Sequence, residues 1–224
     1  MNPVGNLFAV YNQDLMPADH VAYLEKLKSD GFEPKVIYDI GSAVLHWTRH
    51  AERLWPNAKI YLFDAFEITE MVYTNHKPEH EYNIGVLSDT KRTVKFYENQ
   101  MSFGGNSYYR EIGGPSGVFP AEHYREVTTQ TLDDIIVERG WELPDLVKID
   151  VQGAEKDVIA GGVKTLSQAQ HLLVEMQRTE YNEGAPKVTE TLPYIESLGW
   201  KCVAPLFCDN GPDGDYGFVR IKEL

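Results

Sequence analysis

The stretch that most constrains the fold is Leu146-Val-Lys-Ile-Asp-Val-Gln-Gly-Ala-Glu155, an apolar alternation that ends in a carboxylate, an amide, a glycine and a second carboxylate. With a period of two, Lys148 and Asp150 share one face of a strand, while Val147, Ile149 and Val151 occupy the other. Gln152-Gly153 turns the chain into a short helix, Ala154 to Ala160, which Gly161-Gly162 ends. In an open parallel sheet, ligands bind outside the carboxyl ends of the strands, so residues 150–155 are expected at the rim of a cleft. The plainer alternative is a Lys148–Asp150 ion pair that only orders the strand end.

Strands and helices alternate along most of the chain. Ala18 to Ser29 has apolar residues at helical spacing and stops at Asp30-Gly31; residues 1–33 therefore read as a helical extension packed on a domain spanning 34–224. Lys35 to Asp39 reads as a strand, Val44 to Trp55 as a helix closing before Pro56, Lys59 to Asp64 as a strand and Ile68 to Thr74 as a helix. Further strands fit Tyr82 to Leu87, Thr93 to Tyr97 and Arg125 to Thr129. Thr131 can cap a helix running to Arg139. After the Leu146 strand and its helix come a strand at His171 to Glu175 and a helix at Lys187 to Leu198. Two last strands, Trp200 to Pro205 and Asp215 to Lys222, are joined by a turn at Asp209 to Gly214. This order gives a doubly wound, mostly parallel α/β sheet with an antiparallel edge. Residues 100–124, rich in Gly, Ser, Pro and aromatics, exceed an ordinary connection and read as a binding loop.

Composition narrows the partners. Acidic residues outnumber basic ones 34 to 21 in 224 residues, without a run of Lys or Arg, which argues against nucleic acid or an anionic membrane surface. Cys202 and Cys208 lack metal-site spacing and read as reduced thiols. With no signal-like start and no apolar span, the chain is expected to be soluble and cytoplasmic.

Asp39-Ile-Gly41 closes one strand and opens a helix, and Asp64 closes the next strand, the layout of a nucleoside site. A glycine admits a ligand to the backbone, and the second carboxylate can accept from ribose hydroxyls, although such a residue can equally cap the following helix. From Gly41 the chain runs Gly-Ser-Ala-Val-Leu-His46, without the further glycines that a pyrophosphate requires, and no phosphate-binding G-x-x-x-x-G-K-[ST] is present. S-adenosylmethionine, a nucleoside cofactor without phosphates, fits better than NAD or ATP.

These residues resemble the FkbM family of S-adenosylmethionine-dependent methyltransferases over roughly Val36 to Ile221. Thr131-Leu-Asp-Asp134, then Lys148-Ile-Asp-Val-Gln-Gly-Ala-Glu155, then Gly161-Gly162 is similar to that family's TLDD, KIDVEGAE and small-residue pair. Tyr38-Asp-Ile-Gly41 with His46-Trp-Thr48, Leu62-Phe-Asp64, Leu87-Ser-Asp89 and Leu173-Val-Glu175 add to it. Three departures stand out: Gly41 to Leu45 replaces a G-A-N-x-G loop, Asp64 replaces a glutamate, and Gln152 replaces the signature glutamate. Leu45 would either narrow the cofactor pocket or turn into the helix.

The resemblance implies a Rossmann-like class I methyltransferase fold with a seven-stranded sheet, and methyl transfer to a hydroxyl of a sugar, glycan or other small molecule, leaving S-adenosylhomocysteine. Asp39, Gly41, Ser42, Asp64, Ser88, Asp89 and Asp150 are the expected cofactor residues. An unactivated hydroxyl must lose a proton as it attacks, and Asp150 is the first candidate base, beside Lys148; Glu175 is second and His46 a further candidate. Asn106, Ser107 and Tyr108 of the long loop, with Gln152 and Glu155, are the candidate acceptor-binding residues. No metal is expected, although Asp150, Glu155 and Glu175 offer oxygen ligands should a divalent ion be used. His76 and His80 lie in a polar stretch and are expected in solvent. Two other classes compete: a nucleotide-sugar dehydrogenase or epimerase, which should show phosphate-binding glycines, and a non-catalytic nucleoside- or glycan-binding module that retains the fold.

Overall fold

A computed structural model describes residues 2–221; Lys222, the last residue of the expected terminal strand, and the outer ends of the two expected segments, Met1 and Leu224, lie outside it. Among the described residues, seven strands form one sheet: β1 (Val36–Ile40), β2 (Lys59–Asp64), β3 (Glu81–Ile84), β6 (Leu146–Ile149), β7 (His171–Gln177), β8 (Trp200–Asp209) and β9 (Asp213–Arg220). Their spatial order is β3-β2-β1-β6-β7-β9-β8. The first five are parallel, and β9 enters antiparallel to both β7 and β8, as the doubly wound reading requires. The chain order reverses between β1 and β6, the kind of switch point at which open sheets bind ligands.

The remaining strands, β4 (Thr93–Phe96) and β5 (Arg125–Thr128), depart from a simple alternation. They pair antiparallel in a ribbon of their own, and residues 97–124 run between their ends. The loop is thus anchored at its base by a hairpin.

Helices cover both faces of the main sheet. α1 (Pro3–Tyr11), α2 (Ala18–Ser29), α3 (His46–Leu54) and α4 (Glu70–His76) lie on one; α5 (Leu132–Arg139), α6 (Glu155–Ala160), α7 (Val163–Leu166) and α8 (Val188–Ser197) lie on the other. The strand period divides the core accordingly. Tyr38, Ile40, Val147 and Ile149 belong to the α5–α8 side, whereas Ile37, Leu62, Leu146 and Leu173 belong to the α1–α4 side. Asp39 and Lys148, paired in register, therefore face α2 and α3. α1 has no counterpart in the sequence reading; Leu7 is its buried anchor, and a nine-residue helix with one anchor leaves little periodicity to detect.

Local chemistry explains the other boundaries. Thr131 Oγ accepts from the Asp134 amide at 3.2 Å, capping α5, and Gly140 ends it at φ 64°. Asp133 accepts from the amide and hydroxyl of Thr165 at 2.8 and 2.7 Å, so the TLDD segment ties α5 to the start of α7. β8 runs past its expected end at Pro205 because it is the outer strand, where a missing N–H costs no ladder bond, and its register shifts twice between Cys202 and Cys208. No described helix is long and apolar enough to cross a membrane.

Candidate active site

The carboxyl ends of β1, β2, β6 and β7 meet around the turn Gly41–Leu45. Gly41 has φ 81°, and a β-carbon there would lie 1.7 Å from the Asp150 carbonyl oxygen. The crowding that requires glycine thus comes first from the neighbouring strand end. Ala43 (φ 43°) and Leu45 (φ 65°) occupy the left-handed region at the positions where the family pattern places asparagine and glycine, so the loop keeps its path at a steric cost. Leu45 is fully buried in the core beneath α3, which settles its direction: it does not line a cleft.

Two cavities flank this turn. The first, with ≈ 760 Å³ of empty space partly open to solvent, is mainly apolar, its floor made by Ile40, Phe63 and residues 85–87. Asp64 lies at its edge, Oδ2 accepting from Ala43 N and Oδ1 from Phe66 N, both at 2.8 Å. Burial pushes its carboxyl up to about 6 against those backbone bonds. Asp64 therefore holds the turn, and each oxygen keeps a second lone pair. The long loop makes the opposite wall: Phe103 stacks on Phe66 with centroids 6.3 Å apart, and Asn106, Ser107 and Tyr108 line the cavity. Asn106 Oδ1 is taken by the Asn99 amide at 2.7 Å, but its buried Nδ2 has no partner among the described residues.

The second cavity, ≈ 730 Å³, shares Gly41, Ala43 and Asp150 with the first and gathers charged side chains on walls that are otherwise largely apolar. Asp39, Lys148, Asp150, Glu175 and Asp215 stand on its walls, and residues 15–17 and His20 of the N-terminal segment close one side. Lys148 Nζ lies 3.0 Å from Asp150 Oδ2 and 3.9 Å from Asp39 Oδ1. Three residues lining this chamber carry buried polar atoms without partners among the described residues: Asp39 Oδ1, Trp47 Nε1 and His20 Nδ1. Unsatisfied buried groups are rare, and three around one cavity point to something that binds there.

Amide side chains link the acids. Gln152 Nε2 donates to Asp150 Oδ1 and to Glu175 Oε2, each at 2.9 Å. Asn210 Nδ2 lies 3.4 Å from Glu175 Oε1 and 3.1 Å from Asp215 Oδ2. Asp215 Oδ2 is 2.9 Å from His20 Nε2. Burial raises the Asp150 carboxyl, but the Lys148 ammonium and the hydrogen bonds around it prevail and hold it at about 2. Burial and the charge of Asp150 push the Glu175 carboxyl well above its ordinary value. Burial also raises Asp39.

Several expected site residues stand elsewhere. Glu155 is not gathered with Asp150 and Glu175; its Oε1 accepts from the Val151 and Gly153 amides at 3.0 Å each, so it closes the β6–α6 turn, and burial pushes it up to about 7. An oxygen cluster of Asp150, Glu155 and Glu175 is therefore not formed. Ser42 lines the second cavity, while its Oγ is 2.8 Å from Tyr73 Oη and 3.2 Å from the Phe63 carbonyl. Ser88 and Asp89 line neither cavity. Ser88 bonds Asp89 and Tyr108, and Asp89 pairs with Arg92; Gly85, Val86 and Leu87 reach the cleft in their place. His46 borders the chamber, with Nε2 3.0 Å from the Val10 carbonyl. His76 and His80, half-buried rather than free in solvent, converge on Glu52, with Nε2 atoms 2.9 and 2.8 Å from its oxygens; the H-x-x-x-H spacing at 76–80 was the available signal. His20, Asn210 and Asp215 had none, because nothing in their spacing joins residues so far apart.

Comparison with known proteins identifies the family and the fold. The family model described as the methyltransferase FkbM domain matches residues 36–202. A 2-O-methyltransferase NoeI from Sinorhizobium fredii (strain NBRC 101917 / NGR234) is 48% identical over 72 residues, which cover 32% of this chain and 30% of that protein. Among solved structures, an O-methyltransferase from Bacillus cereus in complex with SAH superposes with a TM-score of 0.57 at 12% identity, over 98% of this chain and 90% of that one. A methyltransferase FkbM from Methylobacillus flagellatus KT gives a TM-score of 0.51 at 11% identity, over 83% of this chain and 43% of that one. The chain thus spans well under two thirds of the length of NoeI and of the Methylobacillus protein, and the structural likenesses show the class I methyltransferase fold.

Proposed function

Because this chain belongs to the FkbM family of methyltransferases, we propose that it uses S-adenosylmethionine to methylate a hydroxyl oxygen of a sugar, glycan or other small molecule. The observation that carries this reading is the meeting of two unlike cavities at Gly41 and Ala43. A cofactor with an apolar nucleoside end, a zwitterionic end and no phosphate matches the pair. A pyrophosphate does not, since one ammonium, Lys148, faces four acidic side chains in the polar chamber.

The residues present fit such a group. Asp64 with residues 85–87 would hold the adenosyl part. The unpartnered Asp39 Oδ1 suits an ammonium, and the unpartnered Trp47 N–H and Lys148 suit a carboxylate. When bound, the cofactor supplies a methyl group on a positively charged sulfur, already activated for displacement. The protein then aligns the acceptor oxygen and excludes water, tasks that fall to the walls shared by the two cavities and to the anchored 97–124 loop. Asp150, ionised against Lys148, is a weak base but a fixed negative charge beside a cationic cofactor. The likeness to a 2-O-methyltransferase supports oxygen as the acceptor atom.

Calorimetric titration tests the reading. Saturable binding of S-adenosylmethionine and S-adenosylhomocysteine, with none of NAD or a nucleotide sugar, is the expected result. Binding of NAD instead would reject it.

A further inference from the structure

The N-terminal segment brings a histidine to the polar chamber with the layout of an oriented base. His20, on α2, is 5% exposed, and its Nε2 lies 2.9 Å from Asp215 Oδ2 on β9. Its ring meets Phe207 edge-on at 5.0 Å. The Asp215 carboxylate can accept only from an N–H, so it fixes the proton on Nε2 and leaves Nδ1 as a bare lone pair. That Nδ1 is buried and has no partner among the described residues. Of the three unpartnered atoms around the chamber, Asp39 Oδ1 and Trp47 Nε1 match the two charges of an aminoacyl group. His20 Nδ1 matches neither, and accepts a hydrogen bond from a neutral hydroxyl.

Resting on the methyltransferase reading above, we infer that His20, oriented by Asp215, is the catalytic base that takes the proton of the acceptor hydroxyl. The acceptor O–H bond breaks and a bond from that hydrogen to Nδ1 forms. The electron pair left on oxygen is the pair that makes the new O–C bond, and the proton leaves His20 for solvent after turnover. Asp215 stabilises the imidazolium meanwhile, the role of the third group in nucleophile–base–carboxylate sites. The competing acids are committed: Asp150 is ion-paired with Lys148, and both oxygens of Glu175 already face amide donors, Gln152 Nε2 at 2.9 Å and Asn210 Nδ2 at 3.4 Å. The charged and titratable groups facing this site are Asp39 from β1, His46 from α3, Lys148 from β6 with Asp150 at its end, Glu175 from β7, Cys208 from β8 and Asp215 from β9.

The test combines a tautomer measurement with kinetics. In ¹⁵N-histidine-labelled protein saturated with S-adenosylhomocysteine, the signals lost in His20→Gln should show Nε2 protonated and Nδ1 bare. His20→Gln should bind S-adenosylhomocysteine within twofold of wild type by calorimetry. It should transfer tritiated methyl groups to methyl glycosides of hexoses and deoxyhexoses about 10²- to 10⁴-fold more slowly, with the rise of kcat/KM with pH abolished. Should His20→Gln fail to fold, Asp215→Asn must move the acidic limb of that profile to lower pH, which a purely structural role would not do. A protonated Nδ1, turnover within a few fold of wild type, or a stoichiometric metal ion on His20, Cys208 and Asp215 would each overturn the assignment. Failure of wild type to bind S-adenosylhomocysteine would instead reject the underlying function, and if no glycoside is methylated the tautomer alone decides for or against His20.

Discussion

A β-carbon on Gly41 would sit 1.7 Å from the carbonyl oxygen of Asp150, so the ends of β1 and β6 approach as closely as two backbones allow. The backbone at Gly41 is also left-handed, with φ 81°. Gly41→Ala therefore combines a backbone clash with strain and is expected to cost on the order of 4 kcal/mol or more. Urea unfolding of the purified variant checks this, and a loss below 1 kcal/mol would mean that the two strand ends separate easily.

Ala43 presents the opposite case. It holds φ 43° without a clash that glycine would relieve, so only the left-handed backbone is strained. Ala43→Gly should stabilise the protein by about 1 kcal/mol, the relief of strain exceeding the added entropy of the unfolded chain. The urea midpoint should rise with an unchanged slope. A lower midpoint would show that the Ala43 methyl packs against the walls of both cavities strongly enough to outweigh its conformation.

How far the site could be read from sequence follows from which forces leave a local trace. The alternation of Leu146 to Asp150, the Thr131 cap and the Gly41 turn are local patterns, and each stands where it was expected. Glu155 was misplaced because the left-handed conformation of Gln152, φ 56°, folds the chain back so that the Glu155 carboxylate meets the turn amides; a glutamine does not announce positive φ. Ser88 was misplaced because Gly161 packs on its carbonyl, where a β-carbon would lie 2.1 Å away, and that packing turns the hydroxyl toward Tyr108. The acid–amide chain from Asp150 to His20 depends on the antiparallel entry of β9, which sets Asp215 opposite Glu175. A doubly wound sheet could be read from the alternation of elements, but not which charges its edge strand would bring together.

Lys148 holds Asp150 low while burial and Asp150 push Glu175 up, so their amide variants are unequal. Asp150→Asn leaves the buried Lys148 ammonium with Asp39, at 3.9 Å, as its remaining ion-pair partner, and is expected to cost about 3 kcal/mol. Glu175→Gln removes a charge that burial and Asp150 disfavour but sets an amide N–H against Asn210 or Gln152, and should cost less at pH 7 than Asp150→Asn. Thermal unfolding of both variants side by side measures the difference. Equal losses would mean that Glu175 is ionised in the folded protein.

Glu52 supplies the pH dependence that is easiest to isolate, because it lies away from the two cavities. Burial raises its carboxyl, but hydrogen bonds from His80, Lys77 and His76 prevail and hold it at about 2, against an ordinary 4.5. A carboxyl lowered by folding stabilises the protein fully above its unfolded value, and that contribution drains away as pH falls from about 4.5 toward 2. The side chain is 12% exposed, so screening is modest, and the contribution is on the order of 2–3 kcal/mol. Glu52→Gln should therefore be less stable than wild type at pH 6, and the gap should narrow steadily below pH 4.5. Urea titrations of both proteins from pH 6 to pH 3 would measure it; a gap independent of pH would mean that His76, Lys77 and His80 hold Glu52 no more tightly in the folded protein than solvent does in the unfolded chain.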